Sequence, residues 1–559
     1  MSARPAFDLL DEDWITVADR FGRTQDVSVR AVLRDPGQFS ALAGEVPTQQ
    51  FAILRLLLAI LHRGIVGESG DPITVWSRLW SQWPTERIQA YLTEHKDRFG
   101  LFDAEEPFFQ VPDLRSSKDA VSSLDKFIAD VPNGAKYFTT RAGVSAERMS
   151  FAEAARWLVH VHAFDPSGIK TGAVGDSRVK GGRGYPIGLA WSGNLGGLYV
   201  EGQDLRETLL LNLVLADRTG NRVSASDLPA WERATDGPTV RPDPTPTGRV
   251  DLFTWQSRRV RLVANEQTVT GLVLCNGDAL EPFNKQHFEP MTRWRYSKIQ
   301  SAKAGEARYY PAAHRPELSL WRGLRSVLDD MADTTEDGTR DVVAGVVEWI
   351  RRLLAAGALT ATHPLRLHAV GMQYINNLSI VGDIVDDEIG FAADLLGSDP
   401  ALRVTAVNAI KTAERAVNTL GDLAADLAVA AGGEADAARQ RTQEEAFFAL
   451  EAPYRRWLGQ LNPNNPDHAE NAARWERAVY PVVRRHGDDL ISTAPPQAWA
   501  GRPHPSRTLR SGEPAWIAVG SADNRFRHGI RQHLPAVFSK DRTPPKGQHA
   551  DDEPVAVIW

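Results

Sequence analysis

The chain has 559 residues, a net charge of −7 and 42% hydrophobic residues, enough for two to four domains with ordinary cores and too acidic to be a polycation. Any nucleic-acid contact must therefore be a local patch, or be shared with more basic partners. A single cysteine, Cys275, excludes intramolecular disulfides and a cysteine-based zinc site and fits a reducing cytoplasm.

The start, MSARPAFDLLDEDW, has no basic head before a long apolar run, so no signal peptide is expected and a cytoplasmic location follows. WITVAD and VSVRAVL read as short strands around the polar turn FGRTQD. The run at 51–67 is interrupted by Arg55, His62 and Arg63, which predicts a buried helix over about 48–66 rather than a membrane span, with Thr48 as its cap. WSRLWSQW at 76–83 places three tryptophans near helical spacing, as core contacts. Residues 112–140 lack a clear period and read as a long loop. SFAEAARWLVHVHAF at 150–164 reads as a helix, on which His160 and His162 point to different sides, one inward and one outward.

That helix runs into Ser167–Gly197, which holds ten glycines and the cations Lys170, Arg178, Lys180 and Arg183 in thirty-one residues. Glycine permits close backbone approach to another molecule, and lysine and arginine suit phosphate, so this loop is a candidate nucleic-acid surface. A mobile surface loop is the plain alternative. LYVEG and ETLLLNLVLA follow as strand and helix, 225–249 as a proline-rich connector, and FTWQSRRVRLVANEQTVTGLVLCN as a hairpin. The first 365 residues thus predict a mixed α/β globular domain.

GMQYINNLSIVGD at 371–383 sits at the junction, with Asn376, Asn377 and Leu378 at its centre, within a linking stretch of 366–379. Side-chain amides can read base edges and an apolar neighbour can wedge into a base step; an Asx turn is the simpler reading. From about 380 the chain reads as helical throughout. The stripe from Leu402 through Ala413 to Leu427 gives one helix of some thirty residues, and 435–461, 466–493 and 519–534 repeat the pattern. The fold class is therefore α+β, an N-terminal mixed α/β domain followed by a C-terminal four-helix bundle over 380–537, with a polar tail at 538–559. Arg502, Arg507, Arg510, Arg525, Arg527 and Arg531 could hold a phosphate backbone or form a solvated helix face.

No GxxxxGK[ST], HExxH or GxSxG occurs. The carboxylates Asp383, Asp386, Asp387 and Glu388 could resemble a nuclease metal cluster, but open a helix more naturally. Neither cofactor nor metal is expected, and the chain reads as no enzyme; the alternatives are a metal-dependent nuclease using those carboxylates or a purely structural scaffold subunit.

FDLLDEDWITV, LAGEVPTQQFAILRLLLAILHR, GDSRVKGGRGYPIG, GQDLRETLLLNLVL and FTWQSRRVRLV, in this order, resemble the CasA family, the large subunit of the type I-E CRISPR complex Cascade. The resemblance implies a non-catalytic protein that touches the other Cascade subunits, the guide RNA and double-stranded target DNA. It implies reading of the protospacer-adjacent motif from the minor groove, helix-bundle contact with the displaced strand, recruitment of a helicase–nuclease and no membrane contact. The family's glycine loop carries over onto Gly181, Gly182 and Gly184, between Lys180 and Arg183, with Gly172 and Gly175 as earlier candidates. Its glutamine-type wedge falls on Asn377, flanked by Asn376 and Leu378, with a shorter side chain. Its lysine finger falls near Thr270, which is no lysine; Lys285 is close in sequence but unmatched.

Overall fold

The computed structural model describes residues 5–129, 147–328, 340–397, 400–462, 464, 467–508 and 512–539. The chain forms two compact units, Met1–Val407 with Leu458–Pro466, and Asn408–Trp457 with Asp467–Trp559.

The first unit opens with a small sheet in the order β2-β1-β3, from Ile15–Ala18 (β1), Thr24–Val27 (β2) and Ala41–Leu42 (β3). The expected strand VSVRAVL is instead the helix Val29–Arg34 (α1), because Ser28 caps it by accepting from the Ala31 N–H and because Val29, Val32 and Leu33 fall on one helical face. Helix α2, Pro47–Gly64, is buried on nearly every side. Proline occupies its first turn, where a missing N–H costs nothing. Thr48 is therefore inside the helix rather than its cap, and its hydroxyl meets His160 Nε2 at 2.9 Å. Arg55, the charge that breaks the apolar run, forks onto Glu289 at 2.8 Å through both nitrogens, and Glu289 also accepts from Trp191 Nε1 at 2.7 Å. A buried guanidinium needs such a full set of acceptors.

Helices Pro72–Ser81 (α3), Thr85–Glu94 (α4) and Phe151–Phe164 (α5) follow. Trp76 is fully buried and stacks on Trp80 at 4.7 Å, as core contacts should. His160 and His162 are both buried, against the expectation that one would face solvent; His162 Nε2 pairs with the Phe109 carbonyl at 2.9 Å. Residues 112–129 form the described part of the long loop; the remainder, 130–140, lies outside the described residues.

Lys170–Thr171 (β4) pairs with Arg183–Gly184 (β5). Gly197–Glu201 (β6) leads to helix Leu205–Asn212 (α6), and Arg249–Phe253 (α7) precedes the hairpin Arg258–Ala264 (β7) and Val269–Asn276 (β8). The proline-rich connector is packed, with Trp231 buried within it. The first unit's longest strands are Pro364–Ile375 (β9) and Ile380–Ala392 (β10), antiparallel, with β6 on the other side of β9. Residues 380–392 are thus a strand and not the first helix of a bundle. Val381, Ile384, Val385, Ile389 and Phe391 supply the β-branched and aromatic residues that suit a pleated surface.

The second unit holds most of Pro400–Ala431 (α8), nearly all of Ala435–Gly459 (α9), and His468–Ser492 (α10) and Val519–His533 (α11). Side chains tie them pairwise. Trp475 Nε1 donates to the Ala409 carbonyl at 2.7 Å, and Gly487 admits the Phe526 ring, which a methyl group there would meet at 2.5 Å. Arg525 binds the buried Asp426 at 2.6 Å. Between α10 and α11 lies a hairpin, Arg502–Thr508 (β11) with Pro514–Ile517 (β12). Residues 540–559 of the polar tail lie outside the described residues.

Burial lowers the His160 and His162 pKa values to about 3 each, far below the ordinary 6.5. A depressed histidine pKa means that the unfolded chain takes up protons first as pH falls, so stability drops between about pH 6.5 and 3. From pH 7 to 5 each histidine should cost roughly 2 kcal/mol. Urea unfolding monitored by tryptophan fluorescence should show this loss, and His162→Gln should flatten the pH dependence.

Candidate nucleic-acid interface

The glycine-rich segment begins where α5 ends. Asp165 caps that end of the helix and is buried with two cations, Arg258 and Lys170, the latter at 2.6 Å. Burial pushes its pKa up, but the charges of Lys170 and Arg258 outweigh burial and hold it below the usual value. The Arg258 guanidinium also donates to the carbonyls of Asp165, Pro166 and Gly188, at 3.1, 3.1 and 3.0 Å. One side chain thus ties residue 166 to residue 188 and closes the loop between them. Its neighbour Arg259 likewise serves the interior, binding Asp278 at 2.8 Å and the Gly237 and Thr239 carbonyls.

Inside that closure the chain folds into a tight hairpin. Lys180 N–H donates to the Arg183 carbonyl at 3.0 Å and Arg183 N–H to the Lys180 carbonyl at 3.1 Å. Gly181 and Gly182 between them have φ of +56° and +72°, the left-handed pair of a type I′ turn, which glycine adopts without strain. A methyl group on Gly181 would meet nothing within 4 Å, so the apex is open. Gly182 is backed by the loop before it, with Ser117 Oγ donating to its carbonyl at 3.1 Å and Lys118 Cε 3.5 Å from where a methyl group would stand. Gly184 is buried, and its added carbon would sit 3.0 Å from Asn276 Nδ2. Gly181 is thus the exposed member of the three, Gly182 is half-buried and Gly184 lies inside.

The four cations divide in the same way. Lys170 is spent on Asp165, and Arg178 binds Asp176 at 2.9 Å and the Gly277 carbonyl. Lys180 and Arg183 flank the apex, exposed, with no ion pair among the described residues. The structure adds Lys118, exposed beside Gly182. Nothing in its sequence context, SSKDA, marks it out; only the pairing of Ser117 N–H with the Gly172 carbonyl, at 2.7 Å, brings it here.

Asn376, Asn377 and Leu378 form the turn joining β9 to β10, all exposed and all left-handed, with φ of 49°, 57° and 65°. Ser379 Oγ closes the turn by donating to the Asn376 carbonyl at 2.6 Å. Asparagine tolerates this region; leucine does not, and three such residues in succession hold the Leu378 side chain 45% exposed at the tip. Two contacts seat this hairpin against the root of the glycine-rich loop. Tyr374 Oη donates to the Phe164 carbonyl at 2.6 Å, and Gly168 faces the Ser379 Cβ, with space for one methyl group at 3.7 Å. Lys126, Lys170, Thr171, Ser379 and Val381 share the wall of one cleft of about 370 Å³. The two segments that sequence reading placed two hundred residues apart therefore border one surface.

The other candidates fall elsewhere. Thr270 lies exposed on β8, its hydroxyl turned to the Val263 carbonyl. Lys285 is half-buried against Phe283, and burial lowers its pKa. Asp383, Asp386, Asp387 and Glu388 are on strand β10, not at a helix start, and alternation puts Asp387 opposite Asp386 and Glu388. Asp387 accepts from the Leu320 N–H. Among the described residues no three carboxylates, histidines or cysteines are grouped to hold a metal. In the second unit Arg525 is tied to Asp426, Arg527 binds Asp523 at 2.7 Å, and Arg531 lies over the Phe538 ring at 5.7 Å. Arg502 is on β11 and donates to the Ala430 carbonyl at 3.1 Å. The Arg507 side chain and Arg510 lie outside the described residues. Among the described residues no helix is long and apolar enough to cross a membrane.

Two hairpins, one glycine-tipped and basic, one carrying amides and an exposed leucine, thus stand out on a mixed α/β unit that is followed in the chain by long helices. The sequence model of the CRISPR-associated protein Cse1 family matches residues 8–486, and the chain belongs to that family. It is 31% identical over 305 residues to "CRISPR-associated protein CasA/Cse1" of Thermus thermophilus; the match covers 53% of this chain and 56% of that protein, so it spans little more than half the relative's length. The crystal structure of Thermobifida fusca Cse1 is similar at a TM-score of 0.85 and 39% identity, covering 95% of this chain and 99% of that one. Cse1 from Acidimicrobium ferrooxidans is similar at 0.80 and 30% identity, covering 96% and 99%.

Substitutions at the turns should separate open from packed positions. Gly181→Asn keeps the left-handed backbone and should melt within about 1 kcal/mol of the parent, whereas Gly184→Leu, forced against Asn276, should lose about 1–3 kcal/mol. Leu378→Gly should not lower the melting temperature, because the strain relieved, about 1 kcal/mol, offsets the entropy that glycine adds. Thermal unfolding of the three variants checks this.

Proposed function

We propose that this chain is the DNA-reading large subunit of a type I-E RNA-guided surveillance complex, and that it acts by binding rather than by catalysis. Family membership supports the assignment to the complex. One geometric observation carries the reading of the site: the Gly181–Gly182 apex tops the β4–β5 pairing that begins two residues after Gly168, and the Asn376–Leu378 hairpin is seated on Phe164 and Gly168.

The type I′ apex has no side chain to hold it off, so its backbone can lie against the floor of a minor groove while Lys180, Arg183 and Lys118 meet the phosphates. Groove readout of this kind is degenerate, which suits recognition of a short protospacer-adjacent motif; base pairing with the guide RNA then reads the rest. The adjacent turn supplies the wedge. Leu378 can enter a base step while Asn376 and Asn377 offer amides to the bases it parts, at an unstacking cost of a few kcal/mol, and this starts the R-loop. Asn377 is shorter than glutamine, so the left-handed turn, rather than side-chain length, provides the projection. The helices of the second unit hold the backbone of the displaced strand through Arg527 and Arg531. Arg525 is left out of that role because its partner Asp426 is buried, whereas Arg527 pairs with Asp523 one turn away on the same helix at the surface, a weak pair that a phosphate can displace. Degradation of the DNA falls to a separate helicase–nuclease that the complex recruits.

Replacing Asn377 and Leu378 together by glycine preserves the left-handed turn and removes both side chains. In the assembled complex, R-loop formation should fall at least tenfold on a fully paired target and recover on a target already mismatched beside the motif. Equal defects on the two targets would refute a wedge.

The arginine assignment has its own readout. Each phosphate contact contributes roughly 0.7–0.9 to the slope of log K against log salt. Arg527→Ala with Arg531→Ala should lower that slope by nearly two contacts and leave motif preference unchanged. An unchanged slope would move the backbone contact elsewhere.

A further inference from the structure

The β1–β2 hairpin tip, Asp19–Arg23, is built more rigidly than a surface turn needs to be. Asp19 Oδ1 accepts from the Phe21 and Arg23 N–H groups at 2.8 and 3.0 Å, and Asp19 Oδ2 accepts from Arg23 Nε at 2.9 Å. The Asp19 and Gly22 N–H groups close the turn on the Arg23 and Asp19 carbonyls at 2.9 and 3.0 Å. Ser40 Oγ, from the segment before β3, pins the base through the Ala18 and Asp19 carbonyls at 3.0 and 2.8 Å.

What this frame holds out is a phenyl ring. Phe21 is 69% exposed, with the guanidinium carbons of Arg20 and Arg23 over the ring at 4.9 and 5.4 Å. Arg23 is neutralised by Asp19, at 2.8 Å. Arg20 is exposed and in no ion pair among the described residues. A fixed aromatic side chain beside a free arginine is the composition of a protein-interface anchor, and rigidity before binding lowers the entropy lost on docking.

We infer that Phe21 and Arg20 form a docking knob for another protein subunit of the same complex, which offers an apolar socket for the ring and a carboxylate on its rim for Arg20. This rests on the reading of the chain as a subunit of that complex. Charge selects protein over nucleic acid. Residues 11–26 carry five acids, Asp11, Glu12, Asp13, Asp19 and Asp26, against the two arginines. A phosphodiester backbone would be repelled by this stretch, and the guanidiniums already occupy the ring where a base would stack. The neighbouring strand β2 is at the edge of its sheet and exposed along Thr24–Asp26, so the partner can extend along it.

The test is incorporation into the complex reconstituted from its remaining subunits and guide RNA, without DNA, measured as a dissociation constant. The parent chain must incorporate; its failure to do so would count against the functional reading rather than the knob. Given that, Phe21→Ala should weaken incorporation at least tenfold and Arg20→Glu at least threefold, with melting temperatures unchanged because neither side chain is packed. Phe21→Tyr should retain the parent's affinity. Incorporation of Phe21→Ala with the parent's constant overturns the inference. So does a loss confined to duplex-DNA binding by the free chain, which would make the tip a nucleic-acid contact.

Discussion

The glycine-rich loop depends on one buried guanidinium. Arg258 carries a full positive charge into the interior and is tolerated there because Asp165 and the carbonyls of Pro166 and Gly188 surround it. Those carbonyls belong to the two ends of a loop that has little apolar side chain of its own to bury. Without the clamp, closing a loop of this length is an entropic loss with nothing to offset it. Removal of the guanidinium would also leave Asp165 and Lys170 as an incompletely partnered buried pair, a change that typically costs several kcal/mol.

The same logic runs through the first unit. Arg55 with Glu289, Arg258 with Asp165, and Arg259 with Asp278 are each buried and each bound to carbonyls or a carboxylate from distant chain segments. Such pairs are poor sources of net stability but strict about partners, so they specify which loops meet. Arg258 and Arg259 of the basic run QSRRVRLV are therefore part of an internal framework. Around the glycine-rich loop, the framework leaves Lys118, Lys180 and Arg183 exposed and without an ion pair among the described residues.

Both hairpins use left-handed backbone, for opposite ends. At Gly181–Gly182 glycine makes the conformation free and leaves the apex bare, so that backbone can touch a partner. At Asn376–Leu378 ordinary side chains are held in the same region, and the strain keeps them projecting. Tyr374 and Gly168 seat the second hairpin against the segment where the glycine-rich loop begins.

Much of this was legible in the sequence. Periodicity located α2, α5 and the long helices of the second unit, because an apolar stripe of period 3.6 has few other uses. Turn chemistry located the β7–β8 hairpin, and the glycine-rich segment stood out by composition alone. The order of motifs placed the family. Other features were decided only by tertiary contacts. Residues 380–392 became a strand because β9 was there to pair with them, which scattered the carboxylates of 383–388 over two faces. His162 went inward because the Phe109 carbonyl was waiting for it. Gly184, Lys170, Arg178 and Arg525 look like surface-binding residues by type and spacing, yet each is used to hold the protein together. A sequence records which residues carry charge or lack a side chain. Whether those charges meet a partner inside the molecule or outside it depends on segments a hundred residues away, and only the folded chain brings those together.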